Sequence, residues 1–238
     1  MKEFDYIVVG AGSAGCVLAN RLSENGKYSV CLLEAGPKDS SFWIHLPIGY
    51  GKTMWDPTYN WKFNTDPDPG MNGRQIYWPR GRGLGGSSSI NGLIFIRGQK
   101  EDYDSWASQG NGSWGWDEVL PYFLKAEGND RLTGPLHGQN GPLSASSIKV
   151  KHPLVEAFIA SANKLGVPTT DDFNGLNQEG VGYYQLTTKN GLRCSTAKAY
   201  LNPAKNRPNL HIEVNAQARK ILFDGKKAVG IEYSNPNK

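Results

Sequence analysis

The feature that most constrains the fold is Gly10-Ala-Gly12-Ser-Ala-Gly15, a GxGxxG that follows the apolar run Phe4–Val9 and opens a segment of helical pattern. In that setting the glycines have distinct uses. Gly10 permits the tight turn, Gly12 lets a pyrophosphate touch the backbone, and Gly15 lets the helix pack against the strand. The spacing predicts a helix over 14–25, with Val17, Leu18 and Leu22 on its apolar side, Asn20, Arg21 and Glu24 on its polar side, and Gly26 ending it. A second buried strand is expected over Tyr28–Leu33. Glu34 stands at its end, 24 positions after Gly10. This is a βαβ unit built for a dinucleotide. The helix start, Ser13 and Ala14, would offer unpaired amides and about half a positive charge to the phosphates. Glu34, with Ala35 beside it, would accept hydrogen bonds from a ribose diol and repel a 2′-phosphate, which argues against an NADP-type ligand.

Composition narrows the remaining classes. Glycine supplies 29 of 238 residues, about 12% against roughly 7% in average usage, so tight turns and ordered loops are numerous. The net charge of +4 is scattered, with no basic stripe of the kind nucleic acid needs, and it suits an anionic cofactor. Cys16, Cys31 and Cys194 lack metal-ligand spacing, and Cys16 and Cys31 read as small core residues. His45, His137, His152 and His211 form no HxH or HExxH pattern, so no metal site is expected. The N-terminus enters a strand at once, without the pattern of a signal peptide, and no apolar run approaches the ~18 residues of a membrane span. A cytoplasmic location is the expectation.

From Pro37 to Arg80 no periodicity emerges, yet Phe42, Trp43, Tyr50, Trp55, Tyr59, Trp61, Phe63, Tyr77 and Trp78 crowd the segment. An excursion of this length reads as an ordered lid or as a loop that packs its aromatics for stability alone. A second glycine-rich stretch follows, GRGLGGSSSINGLIF at 81–95. Its serines suit helix capping or a ligand, and Arg82 suits a phosphate or the solvent equally.

The run GRGLGGSSSINGLIFIRGQKEDYD at 81–104 resembles the first signature of the GMC (glucose–methanol–choline) flavin oxidoreductases, of choline dehydrogenase-like type. The N-terminal GxGxxG with Glu34, YNWKF at 59–63, SWGWDEVLPYF at 113–123 and PLHGQNGPL at 135–143 are similar to the same family in the same order, from Asp5 to Tyr233. The resemblance implies an α/β fold: a Rossmann-like FAD-binding domain with a three-layer parallel sheet and β-meander, plus part of an α+β substrate domain. It implies FAD as cofactor, with Gly10, Gly12 and Gly15 at the pyrophosphate and Glu34 at the adenosine ribose. Gly83, Gly85, Asn91, Gly92, Leu93 and Ile94 would lie along the flavin and its ribityl arm, and the Val214 backbone at the adenine. Some members attach flavin through a histidine at the place of Ile90. Isoleucine forms no such bond, so non-covalent FAD is implied. The implied chemistry is oxidation of a small-molecule alcohol to an aldehyde or ketone, with hydride passing to the flavin and electrons on to O2 or a quinone.

The implied domains are 1–150 for FAD binding with 37–80 as the lid, 151–192 as the start of the substrate domain, and 193–238 returning to the FAD-binding domain. Within them the patterns predict an amphipathic helix over Pro153–Leu165, whose Leu154, Phe158, Ala162 and Leu165 share a face, and β-structure over 171–196. They also predict a short helix over Thr196–Leu201 ended by Pro203, a strand over Leu210–Val214, and a hairpin of Ala218–Phe223 with Ala228–Tyr233 around Asp224-Gly225. The family's second signature and its catalytic histidine would lie beyond Lys238, so no catalytic residue is expected in this chain. It reads as the N-terminal portion of a longer enzyme, partnered by a complementary C-terminal part. A catalytically inactive flavin- or nucleotide-binding module and an NAD-dependent oxidoreductase are the other readings. The second glycine-rich loop disfavours the latter, because a nicotinamide domain has no use for it.

Overall fold

The computed structural model describes residues 2–236. The chain forms two units, one of residues 1–92 with 191–238, the other of residues 93–190. The expected boundary at 150 falls inside the second unit, and the one at 192/193 lies two residues past its end.

In the first unit, strand β1 (Tyr6–Val9) runs through the Gly10 turn into helix α1 (Ser13–Leu22) and returns as strand β2 (Val30–Leu33). β2 pairs in parallel with β1 on one side and with the strand Leu210–Glu213 on the other. The arrangement is the Rossmann-like α/β core of a dinucleotide-binding domain. All four β2 residues are buried, as a strand flanked on both edges requires. β1 was also expected to be buried, yet Tyr6, Ile7 and Val9 are exposed and only Val8 is enclosed. An apolar run reports that a strand can be covered, and β1 is an edge strand in this chain. Helix α1 is shorter than the pattern suggested: Ser23 at its end turns its hydroxyl back to the Ala19 carbonyl at 2.7 Å.

The helical segment near 196–201 is a wide π-type turn, Ala197–Leu201, that continues through Pro203 as Asn202–Ala204. Pro203 was expected to end it. A proline in the first turn of the following segment forfeits no hydrogen bond that the helix needs. Asn20 of α1 donates to the Tyr200 carbonyl at 2.7 Å and fastens this turn to the nucleotide-binding helix. The strands Gln217–Asp224 and Lys227–Ser234 form one antiparallel hairpin, with Asp224 opposite Lys227, so its two-residue loop is Gly225-Lys226. Among the described residues this hairpin stands where a meander was expected.

The second unit contains the helices Lys100–Ser108, Trp116–Ala126 and Pro153–Lys164 and a parallel strand pair, Glu127–Asn129 with Leu143–Ala145. At its centre the fully buried Glu127 receives the Arg97 guanidinium, the Asn129 amide at 2.7 Å and the Gly138 N–H at 2.9 Å. His137 bridges Glu127 at 3.1 Å and Asp172 at 3.0 Å. A buried carboxylate surrounded this completely organises its surroundings, because removing the Arg97 guanidinium would leave its charge uncompensated and removing a neutral donor would leave an acceptor unpaired. The helix over Pro153–Lys164 has the expected pattern, but Leu154, Phe158 and Leu165 are exposed.

Candidate functional site: two glycine loops around one cavity

The first unit contains a cavity of about 560 Å³ at the C-terminal ends of β1 and β2. Open parallel sheets bind ligands at that position, and the volume suits a nucleotide-sized group. Its lining includes Gly10, Gly12, Ser13, Glu34 and Ala35, five of the expected cofactor residues. α1 begins at the cavity with Gly12 as its cap residue and no side chain closing the first turn. A helix start without a cap presents its orphan amides to whatever lies beyond it.

Gly12 is the informative glycine. Its backbone is ordinary for any residue (φ −72°, ψ −167°), and an added Cβ would meet nothing within 4 Å. Neither strain nor packing within the chain demands glycine there, whereas a phosphate against the backbone would. Gly15 is different: a Cβ would sit 1.9 Å from the Gly10 carbonyl oxygen, so its role is the close packing of helix on turn.

The second glycine-rich stretch is packed against the first. Gly85 N–H donates to the Ala11 carbonyl at 2.8 Å, and a Cβ on Gly86 would come within 2.7 Å of the Gly12 Cα. Glu34 joins the two. One carboxylate oxygen accepts from Ala11 N–H at 2.7 Å, the other from Gly36 N–H and Gly83 N–H, each at 2.8 Å. A carboxylate offers about four acceptor positions. Three are taken by backbone, and capacity for one further donor, such as a ribose hydroxyl, is left.

Beyond this junction, Ser88 holds Thr196 by its hydroxyl (2.9 Å to Oγ1, 3.0 Å to the N–H). Arg193 is 97% buried with no carboxylate beside it. It donates to the Ile44 carbonyl at 2.8 Å, the Ser88 carbonyl at 3.1 Å and the Asn91 side-chain oxygen at 2.7 Å. Burial pulls its guanidinium down to about 10, far enough above neutrality that it stays charged. This arginine fixes the turn that carries Ile90 and Asn91, and no motif in the sequence around it marks that role. Ile90 itself is buried.

The other expected residues fall as follows. Ala14, Gly15, Gly83, Gly85, Asn91, Gly92 and Val214 are in the first unit but do not line the cavity. Val214 lies one residue past its strand, its carbonyl 3.3 Å from the Asn235 amide, and the lining on that side is Ala216, Gln217 and Ala218. Leu93 and Ile94 belong to the second unit. Leu93 has φ +67°, rare for a bulky side chain, with its carbonyl taking the Thr187 N–H at 2.8 Å and hydroxyl at 3.1 Å. Val9, Leu33, Trp61, Phe63, Arg80, Gly81, Gly86 and Ser87 complete the lining and were not among the expected cofactor residues. The crowded aromatics of 37–80 were the available signal. None of the four histidines lines the cavity: His137 bridges two carboxylates, His152 caps a helix at 3.2 Å, and His211 contacts Glu213 at 3.1 Å. His45 is held below the ordinary range by burial first and by Lys198 second. Among the described residues no cluster suits a metal ion, and no helix is long and apolar enough to cross a membrane.

Known proteins are similar to this chain in sequence and fold. The chain is 47% identical over 238 residues to mitochondrial choline dehydrogenase of Mus musculus, and 47% identical over 235 residues to alcohol dehydrogenase [acceptor] of Pseudomonas putida. These alignments cover 97% and 98% of this chain but only 40% and 43% of the relatives. Pyridoxine 4-oxidase from Mesorbium loti superposes with a TM-score of 0.93 at 32% identity, over 98% of this chain and 46% of that one. An FAD-dependent oxidoreductase from Chaetomium thermophilum gives 0.90 at 30% identity, over 99% and 42%. The chain thus spans less than half the length of these relatives, and residues 4–238 match the GMC oxidoreductase family, to which it belongs.

Proposed function

We propose that this chain is the FAD-binding N-terminal part of an enzyme that oxidises a small alcohol to an aldehyde or ketone, and that it holds FAD non-covalently. The cradle at Gly12 carries the reading, since it has room for a ligand and no reason within the chain to be glycine. Gly10, Gly12 and Ser13 would face the pyrophosphate, and the remaining acceptor capacity of Glu34 would take a ribose hydroxyl. Bound FAD would supply the two-electron acceptor for the alcohol's hydride. The chain's own contribution is to bind, orient and exclude water. Ile90 has no nucleophilic atom, which supports a dissociable cofactor. The choline and alcohol dehydrogenases among the relatives support an alcohol substrate, and O2 or a quinone would take the electrons.

The base that removes the hydroxyl proton would come from the additional length such relatives possess, since each histidine of this chain is placed elsewhere. The exposed Tyr6, Ile7 and Val9 on edge strand β1 support the same view, because an apolar sheet edge is normally covered. The test is direct. The purified full-length protein should be yellow, and acid precipitation should release the flavin into the supernatant. A colourless protein that takes up no FAD removes the cofactor assignment, and flavin retained in the acid pellet removes the non-covalent one.

A further inference from the structure

The cavity lining contains two charged side chains, Glu34 and Arg80. A nucleoside diphosphate brings more negative charge than the partial charge of one helix start balances. The sequence offered Arg82 for that task, but the structure places it elsewhere. Its guanidinium lies 5.3 Å from the Trp61 ring, and one of its nitrogens is 3.4 Å from the Ala35 carbonyl. Arg82 contacts two lining residues and is not itself part of the lining.

Arg80 is placed differently. It is exposed, its one side-chain hydrogen bond goes to the neighbouring Pro79 carbonyl at 2.7 Å, and it lies 4.8 Å over the Trp78 ring. The ribbon that presents it is short. Phe63 pairs with Trp78, Asn64 with Tyr77, and Trp61 N–H donates to the Arg80 carbonyl at 2.9 Å. Trp61 and Phe63 flank Lys62, whose φ of +56° turns the backbone between them, and their rings lie parallel within 3° and 6.0 Å apart, both lining the cavity. Two large aromatics left partly exposed on a cavity wall gain little from the fold, and they suit a planar or sugar-bearing ligand.

We propose that the ribbon 60–64/77–81 is the gripping wall for a nucleoside diphosphate, with Arg80 the cation for the pyrophosphate and the Trp61–Phe63 pair the apolar face beside it. The proposal rests on the reading that this cavity takes the ADP half of FAD. It makes the aromatic excursion a binding element that favours a diphosphate over a monophosphate.

The experiment measures binding of ADP, AMP and FAD to the flavin-stripped full-length protein by calorimetry, at low and high salt, with tryptophan fluorescence alongside. Arg80→Gln should weaken ADP binding by roughly tenfold, the loss of about one charged hydrogen bond, and should weaken AMP less. It should also flatten the salt dependence, and Arg80→Lys should restore part of the affinity. Trp61→Phe should keep affinity within a fewfold while removing most of the ADP-induced quenching. Arg80 is exposed, so an unchanged melting temperature should accompany the Gln variant. The proposal is overturned if Arg80→Gln binds ADP as tightly as the unaltered protein, or if quenching persists undiminished in Trp61→Phe. If the unaltered protein binds neither ADP nor FAD, the nucleotide reading itself fails and this inference falls with it.

Discussion

Replacing Gly12 with alanine separates the demands of the ligand from those of the fold. In the ligand-free chain the substitution is nearly neutral. Its φ and ψ are open to alanine, and the new methyl meets nothing within 4 Å. Alanine is a poorer cap than glycine by about 0.5–1 kcal/mol. It also restricts the unfolded chain, which returns about 0.4–1 kcal/mol. Net stability should therefore move by less than about 1 kcal/mol, and the melting temperature by a few degrees at most. Binding should behave otherwise. A methyl on the cavity wall holds a phosphate away from the first-turn amides of α1. Two charge-assisted hydrogen bonds at about 1.5–3 kcal/mol each amount to about 3–6 kcal/mol, or roughly two to four orders of magnitude in Kd. Calorimetric titration of the stripped protein with FAD, paired with thermal unfolding, reads both quantities. Gly15→Ala is the control with the opposite signature, since its methyl would sit 1.9 Å from the Gly10 carbonyl and must disturb the fold itself. A Gly12→Ala protein that binds FAD within threefold of the unaltered one would refute the placement of the phosphate.

Glu34→Gln should be no conservative change. Three backbone N–H groups donate to this side chain, so a carboxamide NH2 must face one of them. A loss of about 1–3 kcal/mol in chemical denaturation is expected, with weaker FAD binding, and unchanged stability would show that Glu34 does not join the two loops. Burial pushes the Cys16 thiol up to about 11, so it should resist alkylation in the folded protein at neutral pH and react once the protein is unfolded. Rapid labelling of native Cys16 at pH 7 would contradict this. The sign of the accompanying stability effect is fixed. Above the ordinary thiol value of 9.0 the unfolded chain releases a proton that the folded chain keeps, so this contribution is present below about 9 and is lost as pH rises through about 11.

The nucleotide-binding half was legible because its residues each do one thing for a local reason. A strand, a GxGxxG, a helix and an acid lie within thirty-four residues, and the contacts among them are short in sequence. Burial was less legible. The apolar runs of β1 and of the helix over Pro153–Lys164 are alike in pattern to covered elements, yet Val9 and Phe158 are exposed. Periodicity tells which face is apolar and is silent about what covers it. Arg193 was invisible for a related reason. Its three acceptors, Ile44, Ser88 and Asn91, lie more than a hundred residues away, and nothing in the local sequence marks a buried unpaired cation.

The glycines show where composition misleads. The second glycine-rich stretch invites the thought that a cofactor lies along all of it. The structure divides the cause. Gly81, Gly83 and Gly86 are close to other backbone: a Cβ would meet the Gly86 carbonyl carbon at 2.1 Å, the Pro37 carbonyl oxygen at 2.8 Å and the Gly12 Cα at 2.7 Å respectively. These glycines exist so that one loop can lie on another. Gly12 and Gly92 meet nothing, and neither has the positive φ that would reserve its place for glycine. If a ligand accounts for any glycine of the two loops, it accounts for these two. A binding site is therefore better sought where a glycine lacks a reason within the chain than where glycines are most abundant.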